Sequence, residues 1–334
     1  KNFGIKTFQA EDEIAGVCSV IGSAFTGNLA ATASSGPGIA LKAEAIGLAV
    51  TTELPIIVIN VQRGGPSTGL PTKTEQSDLL QAMYGRNGEC PMVIIAPQSP
   101  SDCFTTIYEA SKIALEFMIP VMVLSDGYVA NGSEPWKIPK FSKLPSITPK
   151  MAKNANSFKV YEHDEKTLAR QWAIPGMKGF EHRVGGLEKE NISGNVSYDP
   201  ENHHFMVEHR QKKVDIIANF ISKIEPFGDS SGELLVLGWG GTYGAIRSAV
   251  VKAQTKGYSV SHIHLRHLNP FPSNLGELLV NYKNVLIPEL NLGQLDILIR
   301  SQFLIDTKGY NIVKGKPFKS NEILIEIEKI IQKK

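Results

Sequence analysis

Cysteine is scarce in this chain: 3 among 334 residues, at Cys18, Cys90 and Cys103, far apart and without a CxxC pair. That spacing excludes an iron–sulfur cluster or structural zinc carried by this chain alone, and it suits a reducing, cytoplasmic compartment. No run of about 18 apolar residues occurs, so no membrane-spanning helix is expected. No signal peptide is recognisable either. Charge of one sign is lacking as well. A formal net charge of +2 argues for neither nucleic acid nor an anionic membrane surface as a partner. The histidines lack metal-ligand spacing: His203-His204 cannot share one helix face, and His262, His264 and His267 have no matching cysteine or carboxylate, so no metal site is expected. An initiator methionine is missing too, and the chain, opening at Lys1 in mid-pattern, reads as a piece of something longer.

What is present describes a globular protein, with 42% hydrophobic and 20% charged residues and length for two domains. Apolar stripes and runs alternate. A helix is expected from Glu11 to Phe25, a strand at Leu29–Ala33, a helix over Ile39–Thr52 and a buried strand at Pro55–Asn60. Glu75–Tyr84 and Ser101–Phe117 read as helices, Met92–Ala96 and Val121–Ser125 as strands. Strands alternating with helices predict a doubly wound parallel sheet. From Gly127 to about Asn202 prolines recur and periodicity fades. A stretch that long is expected to be functional or an inter-domain wrap. After a helix at His203–Ile224 a second α/β series follows: strands Glu233–Gly238, Ser259–His264 and Val285–Glu289, with helices Gly244–Lys256, Ser273–Asn281, Gly293–Thr307 and Ile323–Ile331. The expected domains are 1–200, irregular from about 127, and 205–334.

Three stretches carry candidate chemistry. Val61-Gln62-Arg63-Gly64-Gly65-Pro66-Ser67-Thr68-Gly69 leaves a buried strand at the sheet edge where open α/β sheets bind ligands. Arg63 offers a planar fork for a carboxylate or phosphate, and the glycines allow close backbone approach. A strand-end arginine paired with a structural acid fits the same residues. Gly238-Trp239-Gly240-Gly241-Thr242-Tyr243-Gly244 lies between strand and helix, and reads as a close-packing turn or an anion site. It departs from GxGxxG spacing, and no acidic residue ends the next strand. Asp126-Gly127 and Gly228-Asp229 lack the full GDG triplet and the paired asparagine of a metal-diphosphate motif. Glu11, Asp12 and Glu13 open the first helix, where carboxylates favour the macrodipole; Asp12 and Glu13 suit that use, whereas Glu11 stands beside the turn Ser35-Gly36-Pro37-Gly38.

Taken together, Glu11-Asp12-Glu13-Ile14-Ala15, Ser34-Ser35-Gly36-Pro37-Gly38, Gln62-Arg63-Gly64-Gly65-Pro66-Ser67-Thr68-Gly69 and Gly85-Arg86-Asn87-Gly88-Glu89-Cys90-Pro91 resemble the α subunit of the 2-oxoacid:ferredoxin oxidoreductases, and most of all the 2-oxoglutarate type. Ser125-Asp126-Gly127-Tyr128, Ser133-Glu134-Pro135-Trp136, Trp239–Gly244 and Asn269-Pro270-Phe271-Pro272 extend the resemblance over nearly the whole chain. It implies a thiamine-diphosphate pyrimidine-binding domain followed by a transketolase C-terminal-like domain. It also implies a β subunit that carries the diphosphate site, Mg2+ and a [4Fe-4S] cluster. The implied reaction is oxidative decarboxylation of a 2-oxoacid to acyl-CoA and CO2, with coenzyme A as co-substrate and ferredoxin as electron acceptor.

By the same resemblance Glu11 is the carboxyl that shares a proton with N1′ of the aminopyrimidine. Arg63 holds the 2-oxoacid carboxylate, and Ser34, Ser35 and Gly36 line the cofactor pocket. Thr68 and Lys73 reach substrate or coenzyme A, and Lys73 or Arg86 would meet the distal carboxylate of 2-oxoglutarate. The family's Tyr-Pro-Ile-Thr-Pro segment and a γ domain often fused ahead of α are absent, so the chain is expected to be inactive alone. The alternatives are a branched-chain or pyruvate-type subunit, a non-catalytic scaffold, and a nucleotide-binding module built on 238–244.

Overall fold

The apolar runs become strands and the apolar stripes become the helices that cover them. The computed structural model describes residues 3–332. Its first series is α1 (Glu13–Phe25), β1 (Ala30–Ser34), α2 (Gly36–Leu41), α3 (Ala43–Thr51), β2 (Ile56–Gln62), α4 (Leu79–Tyr84), β3 (Val93–Ile95), α5 (Asp102–Phe117), β4 (Val121–Asp126) and α6 (Gly127–Asn131). An irregular segment, 132–199, leads to α7 (Pro200–Ile217). The second series is β5 (Gly232–Trp239), α8 (Tyr243–Thr255), β6 (Val260–Leu265), β7 (His267–Asn269), α9 (Leu275–Leu279), β8 (Tyr282–Glu289), α10 (Gln294–Phe303), β9 (Lys308–Asn311) and α11 (Ser320–Gln332).

Two sheets result, ordered β1-β2-β4-β3-β7 and β6-β5-β8-β9. The second is parallel throughout, and the first is parallel except at β7, which runs antiparallel to β3. The expected doubly wound α/β architecture is therefore present, with a strand of the second series added to the first sheet. Helix α7 also crosses the expected boundary near 200–205: Val214 and Ile217 pack with Val93, Ile95 and Val121 on one face of the first sheet. A single core joins the two sheets, since Ile56, Val58, Met122 and Leu124 cluster with Leu235, Leu237, Ile263 and Leu265.

Several boundaries differ from the sequence expectation for identifiable reasons. The helix expected over Ile39–Thr52 breaks at Lys42, which ends α2 and starts α3 while burying its ammonium against Thr32 Oγ1 at 2.9 Å. Helix α4 begins at Leu79 rather than Glu75, because the backbone of Gln76 is bonded to Leu290 and Asn291 instead. Helix α10 stops at Phe303, where Leu304 turns left-handed with φ 53°.

The irregular segment is an ordered wrap. Tyr161, Arg170 and Trp172 are among the largest fully buried side chains. Tyr161 Oη donates to the Thr51 carbonyl at 2.9 Å, and the Arg170 guanidinium donates to the Thr52 carbonyl. Beside them Glu53 is buried between Lys213 of α7 and His163, the latter at 3.0 Å. Burial opposes the charged carboxylate there, but Lys213 and His163 outweigh it and hold Glu53 well below the usual carboxylate range.

Candidate active site

Because β1, β2 and β4 are parallel, Ser34, Gln62 and Asp126 all end at one edge of the first sheet. Behind that edge the polar groups are tied down. Gln62 donates to the Ser125 carbonyl at 3.1 Å and accepts from the Asp78 N–H at 3.0 Å. Asn60, fully buried, donates to Asp78 Oδ2 at 3.0 Å, while its side-chain oxygen Oδ1 has no partner. Asp78 lies under the turn that opens α2: a Cβ on Gly36 would stand 2.8 Å from Asp78 Oδ2, so only glycine fits. Burial pushes the Asp78 carboxyl up from its ordinary pKa.

The two acidic candidates part company here. Asp12 is the N-cap of α1 and accepts from the Ala15 N–H at 2.7 Å. Glu11 precedes the cap, is exposed, and has no hydrogen-bond partner among the described residues. Glu13, half-buried, turns toward β1, and Ser34 Oγ donates to its Oε1 at 3.4 Å. The positive charge of Lys42 faces Glu13, although burial lowers the Lys42 pKa overall. A Cβ on Gly38 would fall 2.0 Å from Ser34 Oγ and 2.7 Å from Glu13 Cγ. Glu13, Ser34 and the glycine turn of α2 are thus in mutual contact, and Ser35 is the N-cap of that turn.

Arg63 leaves β2 half-buried, and its Nε is buried without a partner. A buried guanidinium nitrogen left unpaired costs about 1–3 kcal/mol, so a ligand acceptor suits it. The structural-acid reading of Arg63 finds no acid within ion-pair distance among the described residues. The loop after it closes on itself through Leu70 N to Gly64 O at 2.8 Å and Gly64 N to Lys73 O at 3.0 Å. Gly69 is required there, since φ is +47° and a Cβ would meet the Gly64 carbonyl at 2.2 Å. Thr68 and Lys73 stand exposed on this loop. Arg86, by contrast, is tied down: its guanidinium donates to the carbonyls of Ala82 and Met83 in α4 and, through both Nε and Nη2, to that of Cys90. It has no fork free for a distal carboxylate.

Asp126 is structural as well. Its Oδ1 accepts from Thr74, Tyr128 and Val129, and its Oδ2 from the Gly241 N–H at 2.9 Å. The turn 238–244 is therefore filled from outside: a Cβ on Gly241 would lie 2.5 Å from Asp126, and one on Gly238 2.3 Å from Ile246. Close packing, not an anion, accounts for Gly238 and Gly241. Among the described residues no helix is long and apolar enough to cross a membrane, and no cluster of His, Cys, Asp or Glu is placed to hold a metal. The three cysteines are free.

Residues 1–198 match the family described as pyruvate flavodoxin/ferredoxin oxidoreductase, thiamine diphosphate-binding. The chain belongs to this family. It is 56% identical to the 2-oxoglutarate oxidoreductase subunit KorA of Mycobacterium tuberculosis, over 97% of this chain and 49% of that protein. It is 35% identical to the 2-oxoglutarate synthase subunit KorA of Archaeoglobus fulgidus, over 87% of this chain and 77% of that one. The solved 2-oxoglutarate:ferredoxin oxidoreductase from Magnetococcus marinus, with 2-oxoglutarate, coenzyme A and succinyl-CoA bound, superposes with a TM-score of 0.94 at 34% identity. That match covers 99% of this chain and 58% of the solved one. The chain thus spans about half the length of the Mycobacterium relative.

For a member of this family the structure brings together Glu13, Ser34, Ser35, Gly36 and Gly38, with Arg63 at the same sheet edge; it leaves Glu11 outside. Sequence reasoning passed over Glu13 because a carboxylate in a first helical turn is sufficiently explained by the macrodipole. The available signal was Asp12. As N-cap it places the next residue, not the previous one, on the first helical turn.

Proposed function

We propose that this chain is the pyrimidine-binding half of a thiamine-diphosphate-dependent 2-oxoglutarate:ferredoxin oxidoreductase. The observation that carries the reading is the contact of Glu13 with Ser34 over the glycine turn, on the strand edge from which Arg63 projects. Glu13, rather than Glu11, supplies the carboxyl that shares a proton with the aminopyrimidine, and Gly36 and Gly38, which have no room for a Cβ beside Asp78, Ser34 and Glu13, let the turn of α2 pack directly against that carboxyl. The cofactor, when bound, stabilises the charge left after decarboxylation. Arg63 anchors the 2-oxoacid carboxylate as a bidentate partner, and its unpaired Nε supports that use. Lys73, exposed on the same loop and without an acidic partner among the described residues, is the candidate for the distal carboxylate; Thr68 is a lesser contact.

Residues 1–200 form the pyrimidine-binding unit and 205–334 the transketolase C-terminal-like one. A β subunit supplies the diphosphate site, Mg2+ and a [4Fe-4S] cluster, electrons pass to ferredoxin, and the assembly works in the cytoplasm with coenzyme A as acyl acceptor. The thiamine diphosphate and coenzyme A readings are supported by the family and by the Magnetococcus marinus enzyme, which was solved with 2-oxoglutarate and coenzyme A; the remaining assignments follow from the resemblance in the residues.

The test is the assembled enzyme carrying Glu13→Gln or Glu11→Gln, assayed with 2-oxoglutarate, pyruvate and 2-oxoisovalerate. Glu13→Gln is expected to lose at least about tenfold in turnover and Glu11→Gln to lose little. The reverse order would return the role to Glu11, and a preference for the branched acid would refute the substrate.

A further inference from the structure

The loop that carries Arg63 is held from outside its own sheet. Gln76, fully buried, makes four hydrogen bonds to the second unit. Its N–H donates to the Leu290 carbonyl at 3.1 Å, and its side-chain oxygen accepts from the Leu290 N–H at 2.9 Å. Its side-chain amide donates to the Trp239 carbonyl at 2.8 Å, and its own carbonyl accepts from Asn291 at 2.8 Å. Trp239 ends β5, and Leu290 and Asn291 follow β8, so one side chain bridges the carboxyl ends of two strands of the second sheet.

From Gln76 the connection runs on to the arginine. Gln294, at the start of α10, donates to the Ser77 carbonyl at 2.8 Å and accepts from the Leu80 N–H at 2.9 Å. Ser77 Oγ in turn donates to the Arg63 carbonyl at 3.0 Å. A separate tie passes through Glu75, buried, whose carboxylate accepts from the backbone N–H groups of Gly65 and Gly315, on the substrate loop and the second unit respectively. None of these groups reaches the edge where Glu13 and Ser34 meet. They act on the placement of the loop.

We infer that the second α/β unit is the positioning frame for Arg63, and that Gln76 is the positioning residue that transmits it. The inference rests on the reading of Arg63 as the 2-oxoacid anchor. Freed from Gln76, the loop keeps its internal Gly64–Leu70 and Gly64–Lys73 bonds and its ties to the first sheet through Thr74–Asp126 and Asp78–Gln62, but loses its hold on the second unit, and the loss falls on how the anchor meets the substrate carboxylate rather than on the chemical step. A bridge that served stability alone would lower the unfolding temperature and leave substrate binding unchanged.

The experiment compares three variants of the assembled enzyme, Gln76→Leu, Ser77→Ala and Arg63→Lys, by steady-state kinetics with 2-oxoglutarate and by amide exchange of the unmodified enzyme. Gln76→Leu is expected to raise KM for 2-oxoglutarate about tenfold with kcat within about threefold, and Ser77→Ala, which removes only the last link, to raise it about threefold. In the unmodified enzyme the Gln76 and Leu290 amides are expected to exchange as slowly as those of β8. Should Gln76→Leu fail to assemble, Ser77→Ala and the exchange rates still decide. An unchanged KM in Ser77→Ala, or fast exchange at Gln76, overturns the inference. If Arg63→Lys also leaves KM unchanged, the Arg63 reading has failed; if only Arg63→Lys raises it, the frame alone has failed.

Discussion

Two turns leave the carboxyl ends of parallel strands through paired glycines, Gly64-Gly65 after β2 and Gly240-Gly241 after β5, and they are put to opposite uses. The first carries an exposed loop and an arginine with an unpaired nitrogen. The second is buried, the Gly241 N–H is capped by Asp126, and the space a side chain on Gly241 would need is already filled. The difference lies in what faces the turn. Where the space a side chain would take is already occupied, as at Gly241, glycine serves packing; where it stays open, as at Gly65, it leaves room for a ligand.

The contrast can be broken most severely at Arg63. Arg63→Ala in the assembled enzyme is expected to lower kcat/KM for the 2-oxoacid by about a hundredfold or more, as loss of a bidentate charged contact does, while leaving the unfolding midpoint nearly unchanged. Equal losses in activity and in stability would make Arg63 structural. Next in size, Gly241→Ala drives a methyl group into Asp126 and is expected to cost about 2–4 kcal/mol in urea unfolding. A neutral result there would show that the second turn is not tightly packed.

The strand beside the second turn sharpens the comparison through pH. Burial holds His264 down to about 3 and His262 well below its ordinary value, and neither His262 nitrogen has a partner. A histidine whose folded pKa is depressed stays neutral while the unfolded chain takes up a proton. Its contribution is therefore undiminished above about pH 6.5 and is lost as the pH falls below that. Stability is expected to decline by up to about 1.4 kcal/mol per pH unit per histidine between about pH 6 and 4, and His262→Phe to remove one proton from that slope. A slope unaltered by His262→Phe would mean that this ring is accessible to water. The smallest effect is at Gly65, where a Cβ meets nothing within 4 Å: Gly65→Ala is expected to change stability by about 0.5 kcal/mol or less.

Much of the α/β alternation was legible in the residues, because β2, β4, β5 and β8 are apolar runs and their neighbours carry helical stripes. What escaped was decided by distant contacts. Strand β9, Lys308-Gly309-Tyr310-Asn311, is polar because it lies at a sheet edge, and its pairing with β8 leaves no apolar signature. The residues from Glu75 to Asp78 resemble a helix start but form loop, since Leu290 and Gln294 compete for their backbone groups. In the proposed site, the place of Arg63 at the sheet edge could be read from its strand and its glycines. Glu13 could not be separated from Glu11, because residues two apart face different ways only once the helix start is known, and Asp12 sets that start.

Strand β7 carries a consequence for how the chain is made. In the finished sheet β7 covers the edge of β3, yet it lies some 170 residues further along, with Ile94 opposite Asn269. During synthesis the β3 edge stays open while most of the second unit is still on the ribosome, and an open edge of Val93, Ile94 and Ile95 is a template for pairing with other chains. Separating the two units at the conventional boundary would make that exposure permanent, so a fragment ending near residue 200 is expected to aggregate even though it contains every residue of the proposed catalytic edge.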